Sequence, residues 1–232
     1  FLTYGIGNIS QSALSFLLLP FYMRYFIPED YGVIAISQIL IIFTTMVASA
    51  GMMSGLHRLY FSVSEEEKKT LTGTTYFWHI VIGLFFFSFF ILIPNKLLFI
   101  LSMDNAYVDI IPLIGIYFLF NFILEIPFNI LRLEEKSYLY VVFSLVRFII
   151  DFIGKIILIL YYDRGIYGYF ESSAISVILT FILIYCVTFN YVSFKINITY
   201  LRELLYLGLP FIPTGFAAWS ITAVDRLGLN YF

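Results

Sequence analysis

Charge is scarce in this sequence. Asp, Glu, Lys and Arg make up 12% of 232 residues, about half the share of ~25% found in soluble domains. A net charge of −2 excludes the basic surface that nucleic acid requires. Cysteine is almost absent. The single Cys186 lies in an apolar run and permits no intrachain disulfide and no Cys-based metal site. The two histidines, His57 and His79, are too far apart in sequence to read as a metal site. No Walker-type glycine loop, Ser/His/Asp set, CxxC or HExxH occurs, so no ATP hydrolysis, no enzyme, no cofactor and no bound metal are expected. GIGN at Gly5–Asn8 reads as a small-residue packing patch.

What remains is apolar. Hydrophobic residues are 61% of the chain, with 27 Phe and 19 Tyr, and some of these rings suit the two membrane–water interfaces. Seven apolar segments can be drawn, at Thr3–Phe26, Tyr31–Leu56, Gly73–Ile93, Val108–Leu131, Tyr138–Tyr162, Ile166–Tyr191, and Leu204 onward. Each is near the ~20 residues a spanning helix needs. The alternating segments of ~10 residues that mark a β-barrel are not seen. The pattern predicts an all-α polytopic membrane protein. The chain starts and stops within such segments, which reads as a piece of a longer protein with no cleavable signal peptide. The connections, such as FIPED, HRLYFSVSEEEKKTLT, PNKLLFILSMDNAY, RLEEKS, DRG and VSFKINITYLRE, are expected to be loops too short for a soluble catalytic domain. EEEKK reads as a solvated loop or a helix start. Arg58, Lys68, Lys69, Arg132, Lys136, Lys195 and Arg202 follow the even segments. Only Lys96 and Arg164, with Arg24 at the edge, follow the odd ones. The bias places the even loops and the N-terminus in the cytoplasm, with the protein in the cytoplasmic (inner) membrane.

Polar residues recur inside the segments at helical spacing. Arg147, Asp151 and Lys155 are four residues apart in the fifth, hence on one helical face. Charge at membrane depth costs at least ~2.5–3.5 kcal/mol per residue, so this ladder points to a wet cavity wall or to a structural ion-pair stack. Asp151 can pair with both neighbours, leaving one net positive charge for an anionic substrate. The fourth segment carries Asn121, Glu125 and Asn129, with Pro127 between them favouring a kink. Glu125, with no basic residue in its own segment, is the candidate proton carrier, with Asp151 and Asp225 as further coupling carboxylates. Asn8 and Gln11 in the first segment, Gln38, Thr45 and Ser49 in the second, and Glu171, Ser172, Ser176 and Thr180 in the sixth complete the polar faces. The bland alternative is helix–helix glue at ~0.6 kcal/mol per contact, a snorkelling Arg24 and a solvated rim at Glu171. The pattern fits a helix bundle around a hydrated cavity.

SFLLLPFYMRYFIPEDYGVIAISQIL (Ser15–Leu40), GMMSGLHRLYF (Gly51–Phe61), LRLEEKSYLY (Leu131–Tyr140) and LGLPFIPTGFAAWSITAVDRLGLNYF (Leu207–Phe232) together resemble the Wzx-type polysaccharide (O-antigen, lipopolysaccharide) flippases of the multidrug/oligosaccharidyl-lipid/polysaccharide exporter superfamily. The resemblance covers the whole chain. It implies a two-lobe exporter fold, with residues 1–203 as the first six-helix lobe and 204–232 as the start of the seventh helix. It implies flipping of a polyprenyl-diphosphate-linked oligosaccharide by ion-coupled alternating access, with that lipid-linked oligosaccharide, membrane lipid and polysaccharide assembly proteins as partners. It also implies cationic substrate contacts. Arg24 and Arg226 match its motifs, whereas Arg147 and Lys155 come from the charge ladder. A multidrug exporter of the same superfamily and a membrane glycan polymerase or ligase are the rival readings.

Overall fold

The computed structural model describes residues 22–101, 103–193, 195–217 and 219–220. Among these the chain is helical, with no strand. The helices are α1 (Pro28–Ser49), α2 (Met52–Leu59), α3 (Glu65–Leu92), α4 (Pro94–Ile100), α5 (Ile110–Leu133), α6 (Ser137–Ile156), α7 (Gly165–Thr188) and α8 (Ile198–Gly208). A π-helical turn, Ile157–Tyr161, extends α6. Four helices are long and apolar enough to cross a membrane: α1, α3, α5, and α7 continued to Tyr191. Helix α6 has 20 residues and differs from these four in carrying the three charges of the ladder. Most of the first segment and the end of the seventh lie outside the described residues.

Local chemistry starts these helices. Pro28 opens α1 with its φ already suited to a helix, and Asp30 accepts from the Ile27 N–H at 3.2 Å. Before α3, the Glu67 carboxylate accepts from the N–H (2.9 Å) and the hydroxyl (2.7 Å) of Ser64. Glu65, Glu66 and Glu67 in the first turn complement the helix dipole. The EEEKK run is thus the beginning of α3. The side chain of Asn197 caps α8 by accepting from the Thr199 N–H at 2.8 Å.

Several of the expected loops and segment limits need correction. The second segment is not continuous to Leu56. Ala50 (φ 47) and Gly51 (φ 71) are both left-handed and stop α1, and the chain re-enters a helix as α2. Part of the PNKLLFILSMDNAY connection is helix α4. The VSFKINITYLRE connection ends in α8, which carries on past Leu204 to Gly208 and packs on α2. Polar and apolar residues alternate along α8 at helical spacing, and its Leu204 is fully buried. By contrast, α5 runs through Pro127 without interruption.

Helix α5 is the spine. It packs against α3 on one side and α7 on the other, and α6 packs mainly on α7. Phe118 and Phe122 of α5 are fully buried and stacked at 5.7 Å. Phe90 stacks on Phe118 at 5.7 Å and His79 on Phe122 at 4.3 Å. Lipid is as apolar as these rings, so their fit, not their removal from water, holds the helices together. Gly154 of α6 allows the close approach to α7, where a Cβ would lie 2.4 Å from Ser172 Oγ. Helix α1 has fewer neighbours on α3 and α5. The Trp78 indole of α3 donates to the Ala48 carbonyl at 3.0 Å, filling one of the acceptors left open at the end of α1.

At the crossing of α2 and α8 the backbones touch. A Cβ on Gly51 would fall 2.0 Å from Gly208 O, and one on Gly55 2.4 Å from Leu204 O. Gly51→Ala combines a left-handed φ with a backbone clash and is expected to lower the melting temperature of the purified full-length protein by several degrees. Gly32→Ala in α1, with open space around its missing Cβ, is expected to leave it unchanged or raise it slightly.

Candidate functional site

The sparse packing of α1 leaves a cavity of about 1050 Å³ lined by α1, α5, α6 and α7, with Gly215 and Trp219 at its edge. Its wall is polar at the positions where the sequence carries polar stripes. Gln38, Thr45 and Ser49 line it from α1, Asn121, Glu125 and Asn129 from α5, and Arg147, Asp151 and Lys155 from α6. The charge ladder therefore faces the cavity. Of the α7 stripe only Ser176 joins the wall, together with Ser173. Ser172 instead donates across to the Asp151 carbonyl of α6 (2.8 Å), as helix glue does, whereas Thr180 donates within α7 to the Ser176 carbonyl (2.7 Å). Glu171 is ion-paired with Arg164 and takes no part in the wall. Arg24 is exposed and is not in the wall either. Asn8, Gln11, Asp225 and Arg226 lie outside the described residues.

The ladder divides in a way that spacing alone does not dictate. Asp151 pairs with Lys155 at 2.6 Å and not with Arg147. The pair is well sheltered: the Lys155 side chain is 7% exposed and that of Asp151 23%. Ser173 Oγ donates to the second Asp151 oxygen at 3.1 Å, and the Lys155 ammonium stands 4.0 Å from the Tyr169 ring centroid, a favourable cation–π distance. Arg147 turns instead to α5, donating to Tyr117 Oη (3.0 Å) and Asn121 Oδ1 (2.8 Å). These partners are neutral. They orient the guanidinium and leave its charge uncancelled, so the one net positive charge expected of the ladder resides on Arg147.

Glu125 sits one turn from Asn121 on the same face and makes no ion pair among the described residues. Asn129 donates to the Glu125 backbone carbonyl at 2.8 Å, and its Oδ1 is 2.9 Å from His57 Nε2 on α2. That nitrogen is the donor, since the amide oxygen only accepts. Sequence reasoning missed Arg132, which also lines the cavity. It had been placed in the RLEEKS loop, yet it belongs to the last turn of α5. Tyr117, Tyr140 and Tyr169 were missed as well, because a lone tyrosine in an aromatic-rich chain gives no signal. Among the described residues no three His, Cys, Asp or Glu side chains gather as a metal site. The arrangement presents an uncancelled guanidinium on the cavity wall, which suits an anionic ligand.

A cavity with polar groups on its wall, enclosed by helices long and apolar enough to cross a membrane, defines a multi-pass membrane protein with a candidate site between its helices. The sequence profile of the polysaccharide biosynthesis protein family matches residues 22–228, and the chain belongs to that family. No curated protein sequence matches the chain. Its fold is similar to that of solved transporters. A MATE transporter in complex with MaD3S superposes with a TM-score of 0.73 at 15% identity, over 90% of this chain and 51% of that one. A MOP superfamily transporter from Pyrococcus furiosus, described as having a binding pocket of reversed polarity, gives 0.73 at 16%, over 90% and 50%. The bent form of a Vibrio cholerae MATE transporter gives 0.58 at 16%, over 99% and 53%. The chain spans about half the length of these proteins.

Removing one partner of a sheltered ion pair strands the other. Asp151→Ala is expected to destabilise the protein by up to about 3 kcal/mol. The double variant Asp151→Ala/Lys155→Met is expected to recover most of that loss in thermal melts. Equal melting temperatures for the single and double variants would show that the pair carries no such strain.

Proposed function

We propose that the chain is the first lobe of a flippase that moves a polyprenyl-diphosphate-linked oligosaccharide across the cytoplasmic membrane for surface polysaccharide synthesis. The observation that carries this reading is Arg147, a cation held by neutral partners on the wall of a membrane-depth cavity. Guanidinium suits the diphosphate because its planar fork matches phosphate oxygens. Membership of the polysaccharide biosynthesis family supports the substrate class, and the likeness to exporter folds supports alternating access. The second lobe begins beyond α8, which runs unbroken through the expected 203/204 boundary, and the N-terminus is in the cytoplasm. Arg24 and Arg226 serve as further contacts at other stages of the cycle. Lys155, neutralised by Asp151, supplies positioning more than net charge.

Cells carrying Arg147→Ala in the full-length protein are expected to lose surface glycan export by at least about tenfold, on the scale of one charge-assisted hydrogen bond. Normal export at normal protein level would remove the cationic-site reading.

Coupling to an ion gradient is assigned to Glu125, the cavity carboxylate left without an ion-pair partner among the described residues. In proteoliposomes, Glu125→Gln is expected to abolish the response of transport to an imposed pH gradient. An unchanged response would move the coupling elsewhere. Export of cationic drugs is a second reading, favoured by that same carboxylate and by the MATE-like fold. Resistance to cationic dyes on expression, without a glycan phenotype, would select it.

A further inference from the structure

Among the described residues two arginines line the cavity, and they are built alike. Arg132, in the last turn of α5, donates to Tyr140 Oη of α6 at 2.5 Å and lies 4.6 Å from that ring's centroid. Arg147 of α6 donates to Tyr117 Oη of α5 at 3.0 Å and lies 5.8 Å from that centroid. Each helix thus gives an arginine to the other's tyrosine, and all four residues line the cavity. Neither guanidinium has an ion-pair partner among the described residues. Glu134, close to Arg132 in sequence, accepts instead from Tyr60 at 2.6 Å, and Asp151 is held by Lys155. A tyrosine fixes the plane of each guanidinium and leaves donors for a ligand.

The two pairs are well separated. Two helical turns, about 10 Å, divide Tyr140 from Arg147 along α6, and three turns, about 16 Å, divide Asn121 from Arg132 along α5. These backbone offsets exceed the length of a diphosphate, whose two phosphorus atoms share one bridging oxygen, and place the two pairs at different levels of the cavity. We propose that Arg132 and Tyr140 form a second anion station at the cavity mouth, which receives a diphosphate headgroup before Arg147 does. The identity of the headgroup and the cytoplasmic placing of the mouth rest on the flippase reading. Beyond Arg147 the wall offers, among the described residues, only the neutral Asp151–Lys155 pair, so attraction for an anion falls from the mouth and middle toward the far end.

The test is calorimetric titration of the full-length protein, in nanodiscs of neutral lipid, with inorganic diphosphate and with geranylgeranyl diphosphate. The unaltered protein is expected to take up two ligands. R132Q and R147Q are each expected to take up one, and the double variant none. R132K keeps the charge and loses the fork, so it is expected to retain both sites with mouth affinity about tenfold weaker. Uptake of geranylgeranyl diphosphate alone supports a station that needs the lipid tail, whereas uptake of both ligands supports one that needs only the headgroup. A single site in the unaltered protein, or two sites in R132Q, overturns the proposal. If R147Q leaves glycan export intact while the stoichiometries fall as stated, the flippase reading fails and the station stands. If R147Q stops export but R132Q keeps two sites, the station fails and the reading stands.

Discussion

The close fit of α5 between α3 and α7 is the constraint on which the other features rest. Its buried side carries the stack of Phe118 and Phe122, and its other side carries Tyr117, Asn121, Glu125 and Asn129 into the cavity. One helix therefore divides the packed aromatic core from the cavity. In a bilayer this division cannot come from water driving apolar groups together. It comes from ring-on-ring packing on one side and from polar groups finding partners on the other. The hydrogen bonds from Arg147 to α5 are part of the same division. They tether α6, which packs mainly on α7, to the spine across the cavity floor.

Much of this was legible in the sequence. Four-residue spacing in α5 and α6 specifies a shared face, and the expense of charge at depth narrows the ladder face to a wet cavity wall or a structural ion-pair stack. Gln38, Asn121, Glu125, Asn129, Arg147, Asp151 and Lys155 were legible as polar faces, and the structure lines one cavity with them. The partition of the ladder was not legible. Arg147 and Lys155 are equidistant from Asp151 in sequence, and the choice between them is made by Tyr117 and Asn121, which lie on another helix. Arg132 was hidden for a related reason. Its helix ends one residue later, and only the tyrosine across the interhelical turn draws it to the cavity.

The break after Ser49 was hidden differently. The run MVASAGMMSG mixes small residues with apolar ones and carries no charge, which fits an uninterrupted span as well as a bend. What requires the bend is the contact of Gly51 with Gly208, a pairing remote in sequence. The amphipathic pattern of α8 was present in ITYLRELLYLG. It was masked because the apolar residues that follow extend it smoothly into the seventh segment.

The crossing of α2 and α8 also has mechanical meaning. Side chains between two helices act as springs, since rotamers yield before backbones do. At Gly51 and Gly208 no side chain stands between carbonyl and Cα, so the joint has no backlash. Arg58 of α2 lies 5.0 Å from the Phe211 ring centroid, adding a second fastening just past the joint. The chain at Gly208 is thereby set directly, backbone on backbone, against the Ser49 end of α1, and α1 is a wall of the cavity.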